Sequence, residues 1–288
     1  MLFRAARRQG VTDMLRTIGK CLEQNSVHYC DAAVAQARRL CALPIASEEA
    51  QPPSEWPSCA SAVALLQRTR PSLLDSYRPL AVSGDGNCLY RSMSLLLYGT
   101  EQFHSVLRLR TAVEVLSNEN WYNVEQSACR CPFKDETALI LPNYRQFCID
   151  TATDGAYADI LTVYALSRAI DRSVQLFFPP LSNTMTVSPH TRLLNHEAAG
   201  KPLVVMWSTA GKVPSFGAVT IDHFVPLVAV DSTHCGVVRD VVVIDSDTDN
   251  ENDAERQRDD SSSADEQERV QEKIGYYFYL YNACYFAL

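Results

Sequence analysis

No apolar run in this 288-residue chain reaches the ~20 residues that a membrane-spanning helix needs, so no membrane partner is expected. The first twenty residues lack the clean apolar core of a secretory signal, because Arg4, Arg7, Arg8 and Arg16 interrupt it. They read instead as a plain N-terminal helix. There is no internal repeat of the kind that marks solenoids and propellers. There is also no excess of positive charge, the formal net being −8. That charge is local. Between Asp245 and Arg269 eleven acidic residues face three arginines, a net of −8, and the rest of the chain holds 23 residues of each sign. Bulk charge therefore gives no reason to expect direct nucleic-acid binding. Metal-ligand spacing is missing too. Cys129 and Cys131 form a lone C-x-C with no second ligand pair at zinc-site distance, and no metal or other cofactor is expected.

What is present is an ordinary globular composition, 47% hydrophobic and 21% charged. The ten cysteines are spread along the chain without a secretory leader, so they read as reduced thiols of a cytoplasmic or nuclear protein. Residues 1–75 read as a helical N-terminal extension. They contain an alanine-rich stretch near residues 32–42, a Pro/Ser/Glu loop over 46–58 and a short helix over 60–69. Residues 76–235 have the density of a folded core. An extended run at Leu80–Val82 leads to a buried helix over 88–98, then to helices over 106–116 and 156–170. Strands follow at 173–178, 203–207 and 224–230. Residues 236–244 read as a strand or binding segment. Residues 245–270 are too acidic and too poor in apolar groups to fold, and 271–288 form an aromatic-rich strand or tail.

One segment carries chemistry: Gly84-Asp85-Gly86-Asn87-Cys88-Leu89-Tyr90-Arg91-Ser92. A cysteine just inside a helix N-terminus sits in a positive field that favours thiolate. The preceding Gly86 and Asn87 offer backbone N–H groups as an oxyanion hole, each donor worth ~3–4 kcal/mol in comparable sites. A thiol nucleophile needs a base. Of six histidines, His223 alone opens an apolar strand behind a loop, in Asp222-His223-Phe224-Val225-Pro226.

These pieces closely resemble the ovarian-tumour (OTU) family of cysteine proteases over about residues 77–232. The family signature Asp-Gly-Asn-Cys-Leu-Phe/Tyr-Arg-Ser/Ala is matched from Asp85 to Ser92, and its histidine–aromatic pair by His223-Phe224. The resemblance implies an α/β (α+β) papain-like fold with a central, mostly antiparallel sheet between helices. It implies Cys88 as nucleophile, His223 as general base and Asp85 at the site. It also implies deubiquitinase activity on ubiquitin or ubiquitin-like conjugates. Many members place Asn or Asp two residues after the histidine, where this chain has Val225; Asp222, Asp85 and Asp75 are the candidates to orient His223 instead.

A second resemblance, carried by Leu107–Leu116, Val163–Ser167 and Val205–Trp207, is to the OTU-like region of the vertnin family. It implies the alternative of an inactive scaffold in chromatin or transcription. Separately, Val241-Val242-Val243-Ile244 followed by Asp245-Ser246-Asp247 resembles a SUMO-interacting motif. An aliphatic strand would add to a sheet edge and the acids would meet a basic rim, which makes SUMO a further expected partner.

Overall fold

A computed structural model describes residues 2–24, 30–41, 50, 52–134, 141–178, 190–198, 200–211, 213 and 221–230. The SUMO-type segment Val241–Ile244, the acidic stretch and the aromatic tail lie outside the described residues.

Two helices open the chain, α1 (Leu2–Gln24) and α2 (Asp31–Leu40). After α3 (Ala60–Thr69) and the single turn α4 (Leu73–Ser76) comes the short strand β1 (Tyr77–Pro79). The middle of the chain is helical: α5 (Cys88–Tyr98), α6 (His104–Ser117), α7 (Tyr144–Ala152) and α8 (Ile160–Ala169). Four strands follow, β2 (Val174–Phe178), β3 (His190–Leu194), β4 (Leu203–Ser208) and β5 (His223–Ala229). The sheet order is β1-β5-β4-β2-β3, and only β2–β4 is parallel. It is the mixed, mostly antiparallel sheet expected. β4, between β5 and β2, buries all six residues, which is why Leu203-Val-Val-Met-Trp reads as a continuous apolar run and not as an alternation.

Two packing layers position the site. α5 packs against β5 and β4, and on its other side against α6. α6 is in turn surrounded by α1, α2, α7 and α8, so the N-terminal helices are docked on the same core. Val11, Leu15, Ile18 and Leu22 of α1 are buried, and Arg145 of α7 donates to the carbonyls of Leu22 and Glu23 at the end of α1. These bonds satisfy carbonyls that the helix itself leaves open. No helix among the described residues is long and apolar enough to cross a membrane.

Three local expectations change. The end of the Pro/Ser/Glu loop is an ordered strap. Ala81 N–H donates to Pro57 O, Cys59 N–H to Pro79 O and the Trp56 indole to Ala81 O, while Ser58 bridges Leu80. Polar sequence says loop, but here the backbone groups find partners along β1. The third helix begins at Ile160 and not near 156, because Asp159 and Thr162 close a capping box there. α7 and β3 are additional elements.

Candidate active site

The candidate nucleophile loop, residues 84–88, is held by another loop. Gly86 has φ 76°, a left-handed conformation, and a Cβ there would lie 2.5 Å from the carbonyl carbon of Gly155. Glycine is thus needed twice, for backbone angle and for the close approach of residues 85–86 to residue 155. The turn ends at Cys88, the first residue of α5, which is buried at 2% exposure.

Asp85 braces this turn. Its carboxylate accepts from the Asn87 N–H and pairs with Arg91, and Arg91 also pairs with Glu101 at 2.9 Å. Glu101 accepts from the N–H and hydroxyl of Ser83, closing a polar chain around residues 83–91. The Arg91 guanidinium holds the Asp85 carboxyl well below the usual carboxylate range. Asp85 is therefore committed to the loop, and the Asn87 amide, a candidate oxyanion donor, is occupied by it.

Arg108 of α6 is the hub that sequence reading did not identify. It is 1% exposed and stacks over the Tyr90 ring at 4.4 Å. It donates to Asn87 Oδ1, the Gly86 carbonyl and the carbonyls of Asp150, Thr153 and Ala156. One guanidinium thus ties the nucleophile loop to the loop after α7. Its rigid fork of donors suits a ring of carbonyls converging from different directions. Gly155 N–H reaches the same Asn87 oxygen at 3.4 Å.

β5 brings the histidine segment to the cysteine. His223 is the first residue of the strand, paired with Ser208. The next residue makes both contacts with α5: Phe224 N–H donates to Cys88 Sγ at 3.4 Å, and Ser92 Oγ, one helical turn on, donates to the Phe224 carbonyl at 3.2 Å. Phe224 packs on Trp207, and Trp207 on Phe178, anchoring the strand by a row of aromatics. The His223 ring lies beside Gly84, with Cε1 and Nδ1 each 3.8 Å from where a Gly84 Cβ would be.

The electrostatics depart from expectation. Burial pushes the Cys88 thiol up to about 11, against the pull of the Phe224 and Leu89 amides. The helix N-terminus does not outweigh the loss of water. Burial likewise lowers His223, opposed by the Asp222 charge and by a hydrogen bond to the Val82 backbone. Burial thus works against charge on either group. Among the described residues no carboxylate reaches His223 Nδ1, which is buried without a hydrogen-bond partner. Asp222 accepts from Ala210 N–H, and Asp85 is held by Arg91. Asp75 lies beside β1, whose Tyr77 pairs with Ala229 at the far end of β5, ~20 Å of strand away from His223. Val225 is fully buried core.

The lone C-x-C is local structure: Cys131 N–H donates to Cys129 Sγ. Among the described residues no group of three potential ligands gathers to hold a metal.

Residues 79–208 match the family model "Vertnin, OTU domain". That span holds the nucleophile loop, Arg108 and the strands up to β4, and stops before β5. The chain is 24% identical to vertnin of Ailuropoda melanoleuca over 251 residues, covering 78% of this chain and 34% of that protein. It is 27% identical to OTU domain-containing protein 1 of Homo sapiens over 143 residues, 49% of this chain and 26% of that one. The chain thus spans about a third or less of the length of these relatives. Among solved structures, the OTUD1 OTU domain aligns with TM-score 0.40 and 18% identity over 58% of this chain and 99% of that one. The Hazara virus OTU bound to ubiquitin aligns with TM-score 0.34 and 18% identity over 55% and 84%. With the Asp85–Ser92 loop seated at the head of a buried helix and a matched span from the strap-bearing strand to β4, residues 79–208 are similar to the OTU domain of vertnin.

Proposed function

We propose that this OTU domain is a thiol hydrolase that cleaves isopeptide or peptide bonds at the C-terminus of ubiquitin or a ubiquitin-like protein. The observation that carries the reading is the junction of α5 and β5. The Phe224 amide rests on Cys88 Sγ, which brings the strand that His223 opens onto the cysteine at the head of a helix behind a left-handed glycine turn. In this reading His223 takes the thiol proton, the sulfur attacks the carbonyl of the scissile bond, and His223 returns the proton to the leaving amine. Water then releases the acyl group from Cys88. Asp85 and Arg108 act through the loop and touch no substrate.

The second reading is a ubiquitin-binding or scaffold protein without turnover, in line with the vertnin relatives. The closed, neutral site favours it: a thiol pushed up to about 11 and a histidine whose Nδ1 has no orienting partner.

Ubiquitin carrying a C-terminal electrophile separates the two. The hydrolase reading expects a covalent adduct on the folded wild type and none on Cys88→Ala. Folded protein that binds ubiquitin but never forms the adduct would leave the scaffold reading in its place.

A further inference from the structure

The N-terminal hairpin holds a second thiol site that the proposed hydrolysis does not use. Cys21 lies in the last turn of α1, and Cys30 stands immediately before α2. Their sulfurs are 3.0 Å apart, with the Cys30 thiol donating to Cys21. Other cysteines spend their sulfurs differently: Cys41 donates to the Ala37 carbonyl, Cys59 meets the Ser61 hydroxyl and Cys88 receives an amide. The pair is asymmetric in access. Cys30 is fully buried, whereas Cys21 is half-buried. Both positions are held in place from outside. α1 is pinned by Arg145 at the carbonyls of Leu22 and Glu23, directly after Cys21, and α1 and α2 pack on each other and on α6.

We propose that Cys21 and Cys30 form a dithiol that hydroperoxides oxidise to a disulfide, stapling the end of α1 to the start of α2. A bonded pair needs sulfurs ~2 Å apart, so the approach required is ~1 Å, within side-chain rotation. The reaction runs in two balanced steps. The Cys21 sulfur attacks the peroxide, an S–O bond forms and the O–O bond breaks. Two electrons pass from sulfur to oxygen, and the leaving alkoxide or hydroxide takes the thiol proton. The Cys30 sulfur then attacks the sulfenic sulfur, the S–S bond forms, the S–O bond breaks, and hydroxide leaves as water with the Cys30 proton. Burial and the neighbouring sulfur push Cys30 up to about 12, which keeps it a thiol during the first step. The half-buried Cys21 is thus the sulfur that meets the peroxide, and Cys30 is the resolving one. Cys148 of α7 lies close enough to feel the Cys30 charge, so it is the competing partner.

The test uses the full chain with hydrogen peroxide just above equimolar, followed by alkylation under denaturing conditions. A glutamate-specific protease cuts after Glu23 and separates the two cysteines, whereas trypsin leaves them on one peptide. The expected product is the Cys21 peptide joined to the peptide of residues 24–48, lighter by two hydrogens, with Cys21 and Cys30 alkylated only after reduction and Cys41 alkylated before it. Cys21→Ser and Cys30→Ser should each remove it, and Cys88→Ala should leave it in place. Oxidised wild type should melt roughly 5 °C higher than reduced, as expected for a short closed loop in a chain of this size. Cys21 proceeding to sulfinic acid while Cys30 still alkylates would overturn the proposal. So would a Cys30–Cys148 link, or a lower melting temperature on oxidation. None of these readings depends on hydrolytic activity.

Discussion

Replacing Gly86 by alanine tests how the nucleophile loop is held. An added Cβ would lie 2.5 Å from the Gly155 carbonyl carbon and closer still to its oxygen, both backbone atoms that cannot rotate away. The φ of 76° is a second obstacle. The left-handed conformation costs an alanine ~1–2 kcal/mol, and prying two packed loops apart adds ~1–3 kcal/mol. The expected loss is about 4 kcal/mol, or about 10 °C in Tm for a domain of this size. Gly155→Ala is the internal control. It has a similar φ of 82°, but its nearest outside atom is the Asp85 carbonyl oxygen at 3.4 Å, so it carries the conformational term with little clash. It should lose only ~1–2 kcal/mol. Urea unfolding followed by the fluorescence of Trp56, Trp121 and Trp207 measures both. Equal losses at the two positions would refute the contact between the loops, and a neutral Gly86→Ala would refute the left-handed turn itself.

Arg108→Met should destabilise by ~3–5 kcal/mol, because it leaves several buried carbonyls and the Asn87 oxygen without a donor. Arg38→Ala, which loses one exposed bond to Ser117, should stay within ~0.5 kcal/mol in the same urea assay. Iodoacetamide should modify Cys88 ~100-fold more slowly at pH 7 than a thiol of ordinary pKa, its rate climbing through about 11; rapid labelling at neutral pH would contradict the closed site. Asp85 is held below its unfolded value of 3.8, so its contribution is present above that pH and is lost as pH falls below it. The side chain is 42% exposed, which limits the effect to ~1 kcal/mol, seen as a steeper loss of stability between pH 5 and 2 in wild type than in Asp85→Asn. Val225→Asn should raise the Cys88 alkylation rate at neutral pH ~10-fold while lowering stability; folded variant protein with an unchanged rate would dismiss the orienting role of that position.

The parts of the site written in contiguous residues were legible. The Gly-rich turn and helix start of residues 84–98 and the apolar strand opened by His223 sit where the sequence puts them. Arg108 was not legible, because an arginine between Leu107 and Leu109 reads as a solvated residue on an apolar helix. Its buried state depends on acceptors contributed by residues 86–87 and 150–156, more than twenty positions away on either side. The strap at 52–59 failed for the same reason: its partners are the backbone of residues 79–81, and backbone pairing has no composition. The Cys88 environment failed differently. A helix N-terminus is visible in sequence, but the degree to which β5 shuts water out of it is not, and that exclusion decides the sign of the shift.

The choice between hydrolase and scaffold then turns on what offsets the cost of charging the pair. Cys88 is pushed up to about 11 and burial lowers His223, so moving the proton from sulfur to imidazole is uphill before the ions attract. Two unit charges in contact recover ~4 kcal/mol at an effective dielectric of 20. One hydrogen bond to a charged group adds ~1.5–3 kcal/mol. That is the kind of bond many OTU members take from Asn or Asp two residues beyond the histidine, on the same face of the strand. Here the position is Val225, buried in the core, and Nδ1 of His223 has no partner. On the hydrolase reading, a bound substrate has to supply one such bond, or exclude the Phe224 amide from Cys88 in favour of the imidazole, to populate a reactive pair. Without it the same residues stay buried with the Phe224 amide on Cys88, and burial disfavours charge on both.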